Sequence, residues 1–349
     1  MAYPEAYSAF RRTTGKLPLT ISPSHETLPK ELGSHDVVIK IRAVSLNYRD
    51  VAMLIGTYPV PTEEKGIPCS DCAAEVVAKG AAVEGFAVGD HVAPITGIGK
   101  LEPYDDGISV GIGVNAAGVL REYAVFEDKH LVHLPAHLSW EEGSTLACAG
   151  VTAWNALDGL SHIPKGASAL LQGTGGVSMF ALLICLSAGI RPIITSSSDK
   201  KLEAIQKLSP EVRGINYKTV SDQAAEINRI TNGRGVDFVI NNTGPGSIPD
   251  DIGFLCQRGG TVSLVGFLDG FEANWEPKRL VELMAKGAKI KGIGVGSKAD
   301  FEELNRYLEE KNIRLTPALD RVFSFEQSKE AFDYLYSGKH MGKIIIKLE

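Results

Sequence analysis

From Gly166 onward the chain alternates short apolar strands with helical stretches, and this alternation limits the fold more than any other feature. Ala169-Leu-Leu-Gln reads as a strand, and a glycine turn leads from it into a helix over 177–188. Pro192-Ile-Ile-Thr-Ser is the next strand, followed by a helix over 200–208. Gly214-Ile-Asn-Tyr and a helix over 221–231 repeat the unit, and 236–241, 260–266 and 289–295 supply three further strands. Six strands joined by crossovers predict an α/β fold with a doubly wound parallel sheet, covered by helices on both faces.

The first third has a different texture. Asp36-Val-Val-Ile-Lys-Ile-Arg-Ala-Val, Ala74-Glu-Val-Val-Ala-Lys and His91-Val-Ala-Pro are β-branched and alternating, with Gly80, Gly85 and Gly89-Asp90 between them. Many short strands separated by glycine turns predict a small β-barrel. The tail carries an amphipathic helix over 301–311, a second around 324–337 and a last strand, Lys343-Ile-Ile-Ile-Lys. A further parallel strand would need another crossover, so this one is expected to return to the first domain. The domains are therefore drawn as 1–130, 131–296 and a returning segment, 297–349. At 349 residues the chain has room for two cores.

Charge narrows the function. With 36 Lys and Arg against 42 Asp and Glu, the chain lacks the basic surplus of a nucleic-acid binder or a polybasic membrane-surface protein. The longest apolar run, 177–190, is shorter than the ~20 residues that span a bilayer. Residues 1–15 hold no apolar core of a signal peptide, and five cysteines cannot all pair, so a reducing, cytoplasmic compartment is expected.

Gly173-Thr174-Gly175-Gly176-Val177-Ser178 ends a strand and opens a helix. Gly173 permits the tight turn, and Gly175 lets the backbone approach a pyrophosphate lying on the helix N-terminus. Ser178 stands where a third glycine is usual and is small enough for close helix–strand packing. The second strand sets the choice of nucleotide. An NAD site wants a carboxylate at its end; here Thr195-Ser196-Ser197-Ser198 precede Asp199, with Lys201 and Tyr217 nearby. Ser196, Ser197, Lys201 and Tyr217 suit a 2′-phosphate, so NADPH is the expected cofactor. Asp199 is expected to point into solvent at the helix start.

Ser45-Leu-Asn-Tyr-Arg-Asp50, Gly89-Asp90-His-Val, Ala147-Cys-Ala-Gly-Val-Thr-Ala-Trp154, the glycine turn, Val236-Asp237 and Gly338-Lys-His-Met-Gly-Lys343 occur in an order that resembles the medium-chain dehydrogenase/reductase superfamily over nearly the whole chain. The resemblance implies a GroES-like substrate domain, a Rossmann domain and a cleft between them, and is nearest to zinc-independent, quinone-oxidoreductase-like members that use NADPH. Zinc-dependent relatives have cysteine at the place of Asn47, histidine near Asp71 and cysteine at Cys148, and only Cys148 matches. The structural-zinc lobe of those relatives carries four cysteines; residues 97–118 have none. Cys69-x-x-Cys72 lacks a second pair, and Pro135 interrupts His130, His133 and His137, so no metal is expected.

Without a Lewis acid, an activated double bond is the easier substrate, because a hydrogen-bond donor suffices for the enolate oxygen. The expected reaction is hydride transfer to an enone, an enoyl group or a quinone. The alternatives are a metal-free alcohol dehydrogenase or ketone reductase, and a nucleotide-binding accessory protein. Asn47 offers an amide donor, Tyr58 a hydroxyl and Asp71 a group that orients one of them. Tyr58 reads equally as a half-buried aromatic beside Pro59, and Arg49-Asp50 as an ion pair at a helix start. The resemblance places Thr152 near the nicotinamide, and Val265, Phe267 and Val295 at strand ends whose backbones hold its carboxamide. Residues 97–118, with Ile98, Leu101, Tyr104, Ile108, Val110, Ile112 and Val114, read either as a cover over a small-molecule substrate or as a surface loop. A homodimer paired along the last strand of the cofactor sheet, 290–295, is also expected.

Overall fold

The computed structural model describes residues 3–105 and 110–349, so Ile108 lies outside the described residues. The chain divides into two compact units, 1–151 with 295–349, and 152–294.

The first unit begins with the antiparallel hairpin β1 (Ala6–Arg12) and β2 (Ile21–Thr27). Then come β3 (Asp36–Ser45), α1 (Tyr48–Ile55), β4 (Asp71–Lys79), β5 (His91–Pro94), the two-residue strands β6 (Gly97–Ile98) and β7 (Val110–Gly111), β8 (Tyr123–Glu127), β9 (Leu131–His133) and α2 (Trp140–Gly143). The long strand β3 is central, pairing with β4 on one side and β8 on the other, and its Val37, Val38, Ile39 and Ile41 are fully buried. β9 pairs with β5, and α2 and residues 146–150 pack on β4, so this unit ends at 151 where 130 was expected. Three residues of strand are too short to stand out in the sequence.

In the second unit α3 (Val151–Ala156) precedes β10 (Ser168–Leu171), α4 (Gly176–Ala188), β11 (Arg191–Ser196), α5 (Asp199–Gln206), β12 (Arg213–Asn216), α6 (Gln223–Ile230), β13 (Phe238–Asn241), α7 (Ile248–Phe254), β14 (Thr261–Leu264), α8 (Val281–Lys286) and β15 (Lys289–Gly292). The strands are parallel in the order β12-β11-β10-β13-β14-β15, the doubly wound topology. Helices α7 and α8 were not legible in the sequence. Pro249 falls in the first turn of α7, where a missing N–H costs nothing, but in sequence it reads as a break. Strand β15 stops at Gly292, short of the expected 295.

The tail comprises α9 (Lys298–Glu310), β16 (Leu319–Ser324), α10 (Ser328–Tyr336) and β17 (Lys343–Lys347). β17 pairs antiparallel with β3, Ile345 opposite Ser45, and Leu46 donates its N–H to Ile344. The strand Ile344-Ile-Ile346 is buried in the first unit's core.

Candidate functional site

In the second unit, the glycine turn lies at the carboxyl end of β10, between neighbours β11 and β13, where the order of the sheet reverses. Gly173 has φ +76°, a backbone state that a side chain would strain. Gly175 is the N-cap of α4 in extended conformation, with no side chain capping the helix. A Cβ added to either glycine would meet nothing within 4 Å, so the approach to the turn and to the free N–H groups of α4 is open. This shape fits a pyrophosphate. Thr174 is buried, while Gly176 and Val177 are half-buried. Gly173 N–H donates to Thr195 Oγ1 at 3.1 Å, tying the turn to β11. Ser178 does more than leave room: its hydroxyl donates to Gln172 O at 2.8 Å and accepts from Asn242 Nδ2 at 3.1 Å.

The proposed ribose residues come together at the ends of β11 and β12. Ser196 is buried and its hydroxyl accepts from Ser198 N–H, Ser197 is exposed, and Tyr217 N–H donates to Ser196 O at 3.1 Å. Ser198 caps α5, accepting from Lys201 N–H. Asp199 is exposed, but it is not simply directed into solvent: Asn216 Nδ2 donates to its Oδ1 at 2.7 Å, which ties the carboxylate to the end of β12. Asn216 is a β-strand residue with no motif around it, so this tie could not be read from the sequence. Thr152 is buried in α3, and Val265 and Phe267 lie in the turn after β14, which is laced to β13 through Asn241 O. Val295, with φ +66°, lies past the end of β15 and falls in the first unit.

In the first unit a second cluster forms where α1 starts. Asn47 is its N-cap, and Asp50 reaches back to accept from Asn47 N–H at 2.8 Å. Arg49 donates to Ile112 O at 3.0 Å, so these two residues serve the helix start and residues 97–118 respectively. Ile112 and Val114 are buried and Tyr104 is exposed: the return half of that segment is anchored in the core. Asp71, fully buried, accepts from Ser70 Oγ at 2.5 Å and from Cys148 N–H at 3.1 Å. Tyr58 is half-buried, within electrostatic reach of Arg49. Burial works against the Arg49 charge, but Cys148, Asp50 and Asp71 beside it hold the guanidinium above its ordinary value. Burial and the Asp71 carboxylate push the Cys148 thiol up to about 11.

Lys343, to which the sequence reading assigned no role, enters this cluster from β17. Its side chain is 3% exposed, and its ammonium donates to Leu46 O at 2.7 Å and Asn47 Oδ1 at 2.6 Å, 3.9 Å from Asp71 Oδ2. The available signals were its place at the end of the Gly338–Lys343 motif and at the head of the apolar run Ile344-Ile-Ile346. An amide, a carboxylate and a single thiol around an ammonium do not fit a catalytic zinc, which wants three anionic or imidazole ligands and an open position. Among the described residues no three His, Cys, Asp or Glu side chains gather as a metal site. His133 and His137 lie near backbone carbonyls of Gly85 and Ile313, at 3.0 and 2.9 Å. Cys69 and Cys72 are buried free thiols.

Comparison with known proteins agrees with this architecture. Residues 33–136 match the alcohol dehydrogenase GroES-like domain, and residues 176–310 the zinc-binding dehydrogenase family. A zinc-type alcohol dehydrogenase-like protein of Schizosaccharomyces pombe is 38% identical over 335 residues, 94% of this chain and 95% of the relative. A solved Sinorhizobium meliloti 1021 protein assigned as an alcohol dehydrogenase superposes with TM-score 0.89 at 30% identity, over 99% of this chain and 100% of that one. The 2-octenoyl-CoA carboxylase reductase CinF, solved with NADP and 2-octenoyl-CoA, shares the fold at TM-score 0.81 and 21% identity, over 99% of this chain and 88% of its own.

Proposed function

The chain belongs to the medium-chain dehydrogenase/reductase superfamily, and on that premise we propose that it is a metal-free, NADPH-dependent reductase of activated double bonds or quinones. The observation that carries this reading is Asn47. An amide stands where zinc-dependent relatives have a thiolate ligand, and its Nδ2 is buried without a hydrogen-bond partner. An unmet buried donor costs about 1–3 kcal/mol and is worth that cost if a reacting oxygen meets it.

A bound nicotinamide supplies the hydride. The chain's own groups do the rest. Gly173, Gly175 and the N-terminus of α4 hold the pyrophosphate. Asn47 Nδ2 donates to the substrate oxygen on which charge develops, an interaction that strengthens as the charge grows. The Tyr58 hydroxyl provides the proton. The enone and quinone reading is tested by measuring NADPH oxidation against enone, quinone, ketone and aldehyde panels with product identification. Saturated carbonyl products alone would favour a metal-free alcohol dehydrogenase, and tight NADPH binding with no consumption would indicate an accessory protein.

Ser196, Ser197, Lys201 and Tyr217 form the proposed 2′-phosphate pocket. A charge-assisted hydrogen bond is worth roughly 1.5–3 kcal/mol, so Lys201→Ala is expected to weaken NADPH binding about ten-fold or more and leave NADH nearly unchanged. Equal weakening of both in fluorescence titrations would remove Lys201 from the pocket. Purified protein is expected to hold well below one equivalent of zinc and to be indifferent to chelators; stoichiometric zinc surviving dialysis would contradict the metal-free reading. No described helix is long and apolar enough to cross a membrane. Strand β15 ends the strand order and leaves one edge unpaired in the chain, and pairing it with a second copy gives the proposed homodimer. Light scattering at micromolar concentration should then report twice the chain mass, and a monomer would refute it.

A further inference from the structure

Lys343 is a buried cation held at a precise place. Gly342 before it has φ +87°, and a Cβ there would lie 2.2 Å from Ala318 O, so only glycine brings β17 this close. Strand β17 then runs beside the end of β3, and the Lys343 ammonium reaches Leu46 O and Asn47 Oδ1. Asp71 Oδ2 is 3.9 Å away, and the buried Asp50 carboxyl also interacts with the ammonium. Burying an ammonium costs several kcal/mol before its partners repay it, and a buried pair can often be replaced by apolar side chains at little loss. Stability alone therefore gives weak grounds for a lysine here.

The chemistry of the contact settles the orientation of the amide. A lysine ammonium only donates. The Asn47 atom 2.6 Å from it is therefore the oxygen, and the NH2 group must be the end left without a partner. The same side chain closes the capping box of α1, facing the Asp50 N–H, so the ammonium adds a second contact that fixes the oxygen end.

We propose that Lys343 is a positioning residue that locks the Asn47 amide with its N–H end free for the substrate oxygen, so that a fixed ammonium does in this chain what a metal does for zinc-dependent relatives: it organises the electrophilic site. Asp71 serves through Lys343, holding the ammonium rather than touching substrate. This rests on the reductase reading above.

The test compares wild type with Asn47→Asp, Lys343→Met, their combination, and Lys343→Met/Asp71→Asn, which removes both charges together and guards against misfolding from an unpaired carboxylate. Melting temperature, NADPH affinity, kcat and KM are measured for each. Asn47→Asp keeps an oxygen for Lys343 but has no N–H, and is expected to lower kcat about 100-fold, the loss typical of one oxyanion donor. Lys343→Met is expected to lower kcat by about ten-fold or more, with NADPH affinity within about two-fold of wild type. Added to Asn47→Asp it should cost nothing further, because the two act as a unit. Unchanged kcat in both Lys343 variants, or effects that multiply, would overturn the proposal while leaving the reductase reading intact. If wild type oxidises NADPH with no panel compound, the reductase reading fails. The lock is then judged from a crystal structure of Lys343→Met. An Asn47 side chain that has left its wild-type rotamer supports it, and an unmoved Asn47 refutes it.

Discussion

Glu142→Ala is expected to destabilise the protein by about 1–3 kcal/mol, the cost of leaving buried N–H donors without their acceptor. The Glu142 side chain is 1% exposed. Its Oε1 accepts from Arg314 Nε, from the N–H groups of Leu315 and Thr316 at 2.8 Å and from Thr316 Oγ1 at 2.9 Å. Its Oε2 accepts from an Arg314 guanidinium N–H at 2.7 Å and from Ser139 N–H at 3.0 Å, which also closes the capping box of α2. Alanine would leave the Leu315, Thr316 and Ser139 N–H groups without this partner and free the turn after α9 from α2. Burial disfavours the Glu142 charge, but Arg314, Ser139, Thr316 and Leu315 outweigh it and bring the carboxyl down to about 2 from its ordinary 4.5. A depressed carboxyl adds stability above the unfolded value, so this contribution, about 3 kcal/mol, is present at neutral pH and is lost as pH falls from about 4.5 through 2. Thermal unfolding at pH 7 should drop by roughly 2–4 °C, and the variant should lose part of the wild type's acid sensitivity. A shift under 1 °C would show that the contacts of Glu142 are replaced by water.

Asp251 is expected to have the opposite pH signature. It is fully buried behind the glycine turn and accepts from Gln172 Nε2 and Asn241 Nδ2, both at 2.6 Å, and from Ser247 Oγ at 3.1 Å. Burial dominates; the bonds from Asn241, Ser247 and Gln172 oppose it, and Asp250 adds to it, so the carboxyl is pushed up to about 7 from 3.8. The native state then holds a proton that the unfolded chain releases. Stability associated with Asp251 is complete below about pH 3.8 and is lost as pH rises through 7, about 4 kcal/mol over the window. Asn cannot titrate, so urea unfolding of Asp251→Asn should lack this decline between pH 4 and 7.5. Parallel pH profiles for wild type and variant would show that Asp251 does not carry it. Gln172 immediately precedes Gly173, so the same titration is also expected to loosen cofactor binding in wild type above pH 7 and not in the variant.

The amino-acid sequence by itself determined the number and order of strands in the cofactor unit, the glycine turn at the end of β10 and the apolar strand that ends the chain. Each is a property of contiguous residues: period-two or helical spacing, and a glycine that tolerates φ +76° at 173. What lay beyond it were the partners. Lys343 meets Asn47 across 296 residues and Glu142 meets Arg314 across 172. Gln172 and Asp251, 79 apart, share a hydrogen bond between the end of β10 and α7. Asp199 was judged by its place at a helix start, yet Asn216 on the next strand ties down its carboxylate. The first unit ends at 151 because β9 finds an edge on β5 and the segment after it packs on β4. Tertiary structure alone decided these points, because a side chain's charge, burial and free hydrogen-bonding end depend on which distant backbone is packed against it.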